Sequence, residues 1–210
     1  MLSLSKKIIM TDNFAHKAAE WDVPSKIEMT DKFVDELLLN LELKPTWKAL
    51  EIGAGTGLVG LKLLPSLGKV VFEDTSPAML QVLKSKLKGD EAVEIVEGEI
   101  FEYTEKDIDF VFSCMAFHHI PDIERALTHL AAITKKGAYI IIGDLVTEDG
   151  SFHRFEAIPH MGFDMKELTQ QFEEAGFSVK SAYIYDKLKR ERVPEVFSEY
   201  EQFILTAKKK

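Results

Sequence analysis

The chain has a single cysteine, Cys114, among its 210 residues, and it has no long apolar run. One thiol cannot form an internal disulfide, which fits a reducing compartment, and it offers no cysteine framework for a metal. The longest stretch without Asp, Glu, Lys or Arg is residues 110–121, which is too short to span a bilayer. The first seven residues lack the order of segments found in a secretory signal. These absences predict a cytoplasmic protein with no membrane partner.

Basic residues are in the minority, with 26 Lys and Arg against 35 Asp and Glu and a formal net charge of −9. Binding to a nucleic-acid backbone requires a concentrated basic surface, so this balance argues against a nucleic-acid partner. The lysines at 208–210 do not change that, and they are expected to form a solvated tail. Hydrophobic residues at 46% and charged residues at 29% are typical of a globular protein with its own core.

Strand-like and helix-like patterns alternate between residues 48 and 145, which predicts a parallel sheet with helices on both faces. Two later β-rich runs, Ser178–Tyr185 and Phe203–Ala207, are predicted to pair antiparallel at one sheet edge, because no clear crossover helix separates them. The charged residues 187–201 between them are expected to be an exposed excursion. The predicted parallel strands are Lys48–Ile52, Lys69–Glu73, Ala92–Val96, Asp109–Ser113 and Ala138–Gly143.

Residues typical of helix starts lie between the predicted strands. Ser76 is predicted to cap a helix that starts at Pro77. Asp122 is predicted to cap another helix, with Lys135 and Lys136 in its last turn.

An amphipathic helix is predicted ahead of the first strand. Its apolar residues are spaced for one helix face: Ile27, Met29, Phe33, Val34, Leu37, Leu38 and Leu41. We therefore expect residues 1–47 to form an N-terminal helical cap or lid and residues 48–210 to form the main domain, within one structural domain overall.

The most informative stretch is residues 49–58, where a strand ends in Glu51 and runs into a glycine loop before a helix. Glycines adopt positive φ and lack a Cβ, so a ligand can approach the backbone, and the next helix offers unpaired N–H groups. Two interpretations are open. Gly55, Gly57 and Gly60 fit the dinucleotide fingerprint G-x-G-x-x-G, whereas E-x-G-x-G-x-G also accounts for Glu51 and Gly53.

The E-x-G-x-G-x-G stretch resembles the first motif of class I S-adenosylmethionine-dependent methyltransferases, and similar motifs follow in order over residues 48–207. The resemblance implies a Rossmann-like α/β sheet of seven strands, five parallel plus an antiparallel C-terminal edge pair, with helices on both faces. It also implies S-adenosylmethionine as cofactor and S-adenosylhomocysteine as product. The expected reaction is in-line displacement, which moves the methyl group to a small-molecule acceptor.

The same resemblance implies site residues. Asp74 looks like the family's ribose-binding acid, with Glu73 as the neighbouring alternative, and Glu99 is similar to the acid that meets the adenine amino group. Phe14 and Trp21 are similar to lid residues of the family. The implied cofactor contacts are Glu51, Gly53, Ala54, Gly55, Thr56, Gly57, Asp74, Thr75, Met79, Gly98, Glu99, Ile100, Ser113, Cys114 and Met115.

Four histidines, His118, His119, His153 and His160, should lie in loops at the carboxyl edge of the sheet, where ligands bind in open α/β folds. No catalytic residue is assigned, because the sulfonium is a good leaving group and alignment is the protein's main task. Candidates for a general base are His118, His119 and His160. These histidines and Asp144 lack tight ligand spacing such as H-x-x-x-H, so no metal site is expected.

The acceptor stays open, as do the methylated atom and the choice between a monomer and a homodimer. Resemblance to methyltransferases of the quinone-biosynthesis type favours an apolar or aromatic acceptor. Two rival functions are kept. One is an NAD(P)-dependent oxidoreductase using Gly55, Gly57 and Gly60, and the other is a non-catalytic cofactor-binding module that regulates a partner.

Overall fold

A computed structural model describes residues 12, 14–153, 157–193 and 195–210, and these residues form one seven-stranded sheet. The strands are β1 (Lys48–Ile52), β2 (Lys69–Asp74), β3 (Val93–Glu97), β4 (Ile108–Cys114), β5 (Thr134–Leu145), β6 (Phe177–Val193) and β7 (Val196–Lys209). Their order is β3-β2-β1-β4-β5-β7-β6, with β1 to β5 parallel and β7 antiparallel to both β5 and β6. The predicted Rossmann-like sheet with an antiparallel edge pair is confirmed.

Helices connect the strands, and their starts follow the sequence signals. They are α1 (Pro24–Asn40), α2 (Gly60–Leu63), α3 (Pro77–Lys86), α4 (Ile123–Ile133) and α5 (Met165–Glu174). The Ser76 hydroxyl accepts a hydrogen bond from the Met79 N–H at 3.2 Å, and the Asp122 carboxylate accepts one from the Arg125 N–H at 2.9 Å. Both predicted N-caps are confirmed.

The sheet separates two hydrophobic clusters, because alternate strand residues point to opposite faces. Val111 packs on the face covered by α4 and α5, whereas Phe110 and Phe112 pack on the face covered by α1, α2 and α3. Phe33 of α1 lies so close to Gly143 that a Cβ there would be 2.4 Å from its ring. The N-terminal helix is therefore part of the core.

α1 departs from its predicted pattern at one position. Phe33, Val34 and Leu37 are buried, but Leu38 is 48% exposed, because it lies next to the buried stripe rather than within it. Within the described part of the chain, no helix combines the length and the apolar character needed to cross a bilayer.

The predicted end of α4 is wrong. The helix stops at Ile133, and Lys135 and Lys136 already belong to β5. The positive charge at the C-terminus of α4 comes instead from Lys209 of β7, whose Nζ donates to the carbonyls of Ala131 and Thr134. The expected solvated tail at 208–210 is therefore also wrong, since Lys208 and Lys209 are part of β7.

Residues 187–201 are largely exposed, as expected, but they are not an irregular excursion, because β6 and β7 continue as a long hairpin. Only the stretch from Gln202 to Lys208 of β7 pairs with β5, so the rest of the hairpin projects past the sheet edge. The charged side chains of the hairpin lie on its exposed faces, as in the Lys187–Glu201 ion pair at 2.9 Å. A sequence so rich in charge is also typical of a loop, and the sequence alone therefore did not indicate the hairpin. The projecting part of the hairpin packs Tyr200 against Phe152.

Candidate functional site

The glycine loop follows β1 at the carboxyl edge of the sheet. Gly53, Gly55 and Gly57 have φ angles of +65°, +55° and +82°, in the left-handed region that favours glycine. A Cβ on Gly53 would lie 2.3 Å from the Cβ of Ala116, so the loop packs directly against the segment after β4. The backbone thus favours glycine at all three predicted positions, and the contact with Ala116 excludes a larger residue at Gly53.

Asp74 ends β2 beside this loop and is 9% exposed. Its carboxylate accepts hydrogen bonds from the backbone N–H groups of Gly55 at 2.7 Å and Ser76 at 2.8 Å. Asp74 thereby joins the glycine loop to the start of α3. The alternative acid, Glu73, is also buried and accepts a hydrogen bond from the Gly53 N–H at 3.4 Å.

Burial dominates the electrostatics of the acids at this edge. Burial raises the pKa of Glu51 well above its ordinary value, and the negative charge of Asp74 raises it further. A hydrogen bond from the Gly60 N–H lowers this pKa but does not outweigh burial. Burial and the same charge also raise the pKa of Glu73, and burial raises that of Asp74 despite its two backbone hydrogen bonds. A bound group with positive charge would ease the ionisation of these neighbouring carboxyl groups.

The end of β3 lies beside Asp74. The Gly98 N–H donates to the Asp74 carbonyl at 3.0 Å, and Gly98 has a φ of +142°. Glu99 follows with an exposed side chain, and Ile100 is buried. The two acids predicted for the ribose and the adenine are thus brought to neighbouring strand ends. Of the other predicted contacts on this side, Ala54, Thr56 and Met79 are buried and Thr75 is exposed.

The predicted contacts on β4 have separate environments. The Ser113 hydroxyl donates to the Ile52 carbonyl at 3.1 Å within the sheet. Burial raises the pKa of Cys114 well above the ordinary value, so it is a neutral thiol. Met115 has a φ of +56°, uncommon for a non-glycine residue, and its N–H donates to the Gly143 carbonyl at 2.8 Å.

His118 and His119 follow β4, and the loop after β5 brings His160 beside them, with its backbone N–H donating to the His118 carbonyl at 3.3 Å. His118 is buried, and its Nδ1 lies 2.6 Å from one carboxylate oxygen of Asp144. The other carboxylate oxygen accepts a hydrogen bond from the backbone N–H of His118 at 3.1 Å. The Nε2 atom of His160 lies 3.0 Å from the Ile120 carbonyl oxygen. His119 is half-buried, and its ring centroid lies 4.2 Å from that of His118.

Residues 12 and 14–22, here called the N-terminal segment, cross the glycine loop. The indole Nε1 of Trp21 lies 3.9 Å from the position that a Cβ on Gly55 would take. Phe14 packs edge-on against both Trp21 and His119, with 5.7 Å between ring centroids in each case. The two predicted lid residues therefore lie between the glycine loop and the histidines.

Two aspartates hold the N-terminal segment in place. Asp12 accepts hydrogen bonds from the Ser76 hydroxyl at 2.9 Å and from a backbone N–H in the first turn of α3 at 3.3 Å. Asp22 accepts from the Thr56 hydroxyl at 2.5 Å and pairs with the Lys86 ammonium at 2.5 Å. The sequence motifs missed both acids, because their partners are 64 and 34 residues away and no local pattern marks them.

Comparison with known proteins shows the family. Residues 50–142 match the family model described as "Methyltransferase domain". A solved structure of an S-adenosylmethionine-dependent methyltransferase from Aquifex aeolicus superposes with a TM-score of 0.68 at 22% identity, covering 92% of this chain and 97% of that one. An uncharacterized methyltransferase of Geobacillus sp. (strain WCH70) is 31% identical over 175 residues, covering 72% of this chain and 81% of the relative. The chain belongs to the class I S-adenosylmethionine-dependent methyltransferases.

A second relative of this methyltransferase is the uncharacterized methyltransferase YrrT of Bacillus subtilis (strain 168). It is 36% identical over 127 residues, which is 59% of this chain and 56% of the relative. The match to YrrT thus spans little more than half of that protein.

Family membership favours the E-x-G-x-G-x-G interpretation of the glycine loop over the dinucleotide fingerprint. The structure also explains why Gly60 completes the other fingerprint. A Cβ on Gly60 would lie 2.2 Å from a carboxylate oxygen of Glu51 and 2.4 Å from the ring of Phe72. Gly60 is therefore required for close packing of α2 on the sheet, which accounts for a glycine at this spacing.

Acid is expected to release the N-terminal segment of the methyltransferase. Burial raises the pKa of Asp12, but hydrogen bonds from Ser76 and backbone N–H groups outweigh it and leave the pKa below its ordinary value of 3.8. For Asp22, Lys86 and Thr56 likewise outweigh burial and lower the pKa. Because the lowered pKa values belong to the folded state, the stabilisation is complete above pH 3.8 and is lost as the pH falls through them.

The fluorescence of Trp21 measures this release if Trp47, the other tryptophan, is first replaced by Phe. We expect a change in Trp21 emission in acid while far-UV circular dichroism still reports a folded sheet. The matched control is the same protein with Asp12→Asn and Asp22→Asn, which should show the released emission at neutral pH. An identical acid transition in both proteins would contradict the assignment to these aspartates.

Proposed function

We propose that this methyltransferase moves the methyl group of S-adenosylmethionine to a small-molecule acceptor by in-line displacement. The proposal rests on one juxtaposition. Phe14 contacts both Trp21, which lies over the glycine loop at Gly55, and His119. Asp74 binds the same loop through the Gly55 N–H. The site thus has a nucleoside half and an acceptor half at the same edge of the sheet.

The nucleoside half fits the cofactor. At Gly55 the missing Cβ leaves space, with only the Trp21 indole within 4 Å, so a ligand can approach the loop backbone there. The Asp74 carboxylate has the charge and the two oxygens needed to accept hydrogen bonds from both hydroxyls of a ribose. Glu99, on the adjacent strand end, is exposed and can accept from an exocyclic amino group. The buried acids favour the net positive charge of S-adenosylmethionine.

The chain's own residues supply alignment and exclusion of water on the acceptor half. When bound, S-adenosylmethionine supplies a methyl group on a sulfonium, which is already a good leaving group. Trp21, which packs against Phe14, lies over the glycine loop at Gly55 and would help to exclude water from a bound cofactor. Phe14 and the half-buried Met115 offer apolar contacts to an acceptor. If the acceptor must lose a proton, His119, which packs against Phe14, would accept it, and such a base typically contributes about 10²–10⁴-fold to the rate.

In this proposal, different parts of the chain form the cap and the cofactor site. Residues 1–47 supply the cap and part of the acceptor pocket, and residues 48–210 supply the cofactor site. The net charge of −9 supports a small molecule rather than a nucleic acid as the acceptor.

Isothermal titration tests the cofactor assignment, with S-adenosylhomocysteine and NADH as ligands of the same protein. We expect binding of S-adenosylhomocysteine alone, and binding of NADH alone would refute the assignment. Transfer of a labelled methyl group is then measured across a panel of phenols, quinols, amines and thiols. Tight cofactor binding with no transfer to any member would favour a non-catalytic regulatory module.

A further inference from the structure

Three imidazoles converge beside Phe14 at the carboxyl edge of the sheet. His118 and His119 lie in the short 3₁₀ turn after β4, and His153 lies in the loop after β5. Among the described residues, one ligand nitrogen from each ring lies within 4.8 Å of the other two. Sequence spacing did not indicate this group, because His153 is 35 residues from His118. Three imidazole nitrogens form the ligand set of many protein metal centres.

Asp144 determines which nitrogen of His118 faces the other rings. The carboxylate is fully buried and accepts from the backbone N–H groups of His118 and Leu145 at 3.1 and 2.7 Å. Its contact of 2.6 Å with the His118 Nδ1 therefore requires a proton on that nitrogen. The Nε2 of His118 is left with its lone pair directed at His153. A carboxylate that orients an imidazole in this way is the usual outer partner of a metal-bound histidine.

The separation of the facing nitrogens matches a shared ion. The Nε2 atoms of His118 and His153 lie 3.3 Å apart. Two nitrogens bound at about 2.05 Å to one tetrahedral ion lie about 3.3 Å apart. At this distance either the Nε2–H of His153 donates a hydrogen bond to the His118 Nε2, or both nitrogens present lone pairs to a metal ion between them. The third imidazole, His119, favours the metal ion, because a hydrogen bond between two imidazoles does not need a third nitrogen nearby, whereas a metal ion binds three or more ligands.

The two residues before His153 are fixed by contacts with the β6–β7 hairpin. Phe152 is buried, with its ring 5.1 Å from that of Tyr200 and 3.7 Å from the Arg190 guanidinium. The Ser151 and Tyr200 hydroxyls lie 2.8 Å apart. The projecting part of the β6–β7 hairpin thus holds the residues immediately before His153. Ligands that are held in place before binding favour tight metal sites.

We propose that His118, His119 and His153 bind one divalent metal ion of the borderline class, such as Zn²⁺, with Asp144 orienting His118. Three imidazoles are a common ligand set for such an ion, and they leave a further coordination position open. Phe14 packs against the ligand His119, so the ion would lie close to the acceptor half of the site. The assignment of the open position to an acceptor with an N, O or S donor rests on the proposed function. The ion would bind the acceptor next to the transferable methyl group and lower the acceptor's pKa, so that with metal bound the ion would replace His119 in assisting the loss of a proton.

Metal binding by the full chain tests the proposal without any activity measurement. Protein freed of metal by a chelator is titrated with Zn²⁺ in competition with a chromophoric chelator, and with Co²⁺ as an optical probe. We expect one ion per chain, an intense visible Co²⁺ spectrum of tetrahedral type, and a change in that spectrum when azide fills the open position. His153→Ala and His119→Ala should each weaken Zn²⁺ binding at least about 100-fold, and Asp144→Asn about 10–100-fold.

His16→Ala is the matched control, because it removes one exposed imidazole and should leave Zn²⁺ affinity unchanged. Equal Zn²⁺ binding by wild type and His153→Ala, or no Zn²⁺ or Co²⁺ binding at all, would overturn the proposal and leave a hydrogen-bonded histidine pair. His119 and His153 are half-buried, so the test does not depend on a variant of the fully buried His118. Titration of metal-free protein with S-adenosylhomocysteine tests the proposed function separately, since its predicted contacts include none of the three histidines.

Discussion

Replacing Asp74 by Ala should weaken the binding of S-adenosylhomocysteine by at least about tenfold, because a hydrogen bond to a charged group contributes about 1.5–3 kcal/mol. The variant also removes the acceptor of the Gly55 and Ser76 N–H groups, so the glycine loop loses its connection to α3. Both effects act on the cofactor half of the site. Isothermal titration of the purified variant measures the change in dissociation constant.

Glu97→Ala is the control for charge, because Glu97 is an exposed acid at the end of β3 that pairs with Asp74 in the sheet. It should leave the affinity within about twofold, since exposed carboxylates contribute little. Asp74→Asn keeps an oxygen acceptor and should recover part of the affinity lost in the Ala variant. Unchanged binding by Asp74→Ala, with a normal melting temperature, would refute the ribose role of Asp74.

Gly53→Ala should destabilise the fold and disrupt the cofactor loop. The left-handed conformation at φ +65° costs an alanine about 1–2 kcal/mol. Its Cβ would also lie 2.3 Å from the Ala116 Cβ, and overpacking of this kind costs about 1–3 kcal/mol. Together we expect a loss of about 2–5 kcal/mol in the free energy of unfolding, measured by urea denaturation.

Gly89→Ala separates these two contributions. Gly89 also has a positive φ, +98°, but no atom lies within 4 Å of the position of its missing Cβ. The Gly89 variant should therefore show the backbone cost alone. If both variants lose the same stability, the contact between the glycine loop and the segment after β4 is not as tight as described.

The sequence predicted those features that depend on local patterns. The alternating apolar runs located every parallel strand to within a few residues, and Ser76 and Asp122 marked two helix starts through their side-chain hydrogen bonds. The failures have a common cause, which is contact between distant residues. Lys209 replaces Lys135 and Lys136 at the end of α4 because the topology brings β7 there. No periodicity within α4 contains that information.

The candidate site likewise contains residues that local sequence patterns predicted and residues that they missed. The glycine loop and Asp74 are adjacent to their strands in sequence, and their placement together was predictable from the rule that strand ends share one sheet edge. Asp12 and Asp22 were missed because their acceptor role depends on how the N-terminal segment crosses the loop. The grouping of His153 with His118 depends on a loop held by the β6–β7 hairpin. Side-chain convergence of this kind has no signature in residue spacing.

The strand order has a consequence for how the chain acquires its fold. β7 is made after β6 yet lies between β5 and β6, and Phe203, Ile204 and Leu205 at its centre are completely buried. Until β7 has been synthesised, β5 presents an unpaired edge and β6 has no neighbour. For that interval both strands are open to pairing with other chains, as exposed sheet edges are in general. The risk of aggregation during synthesis is thus concentrated in the interval before β7 pairs with β5 and β6.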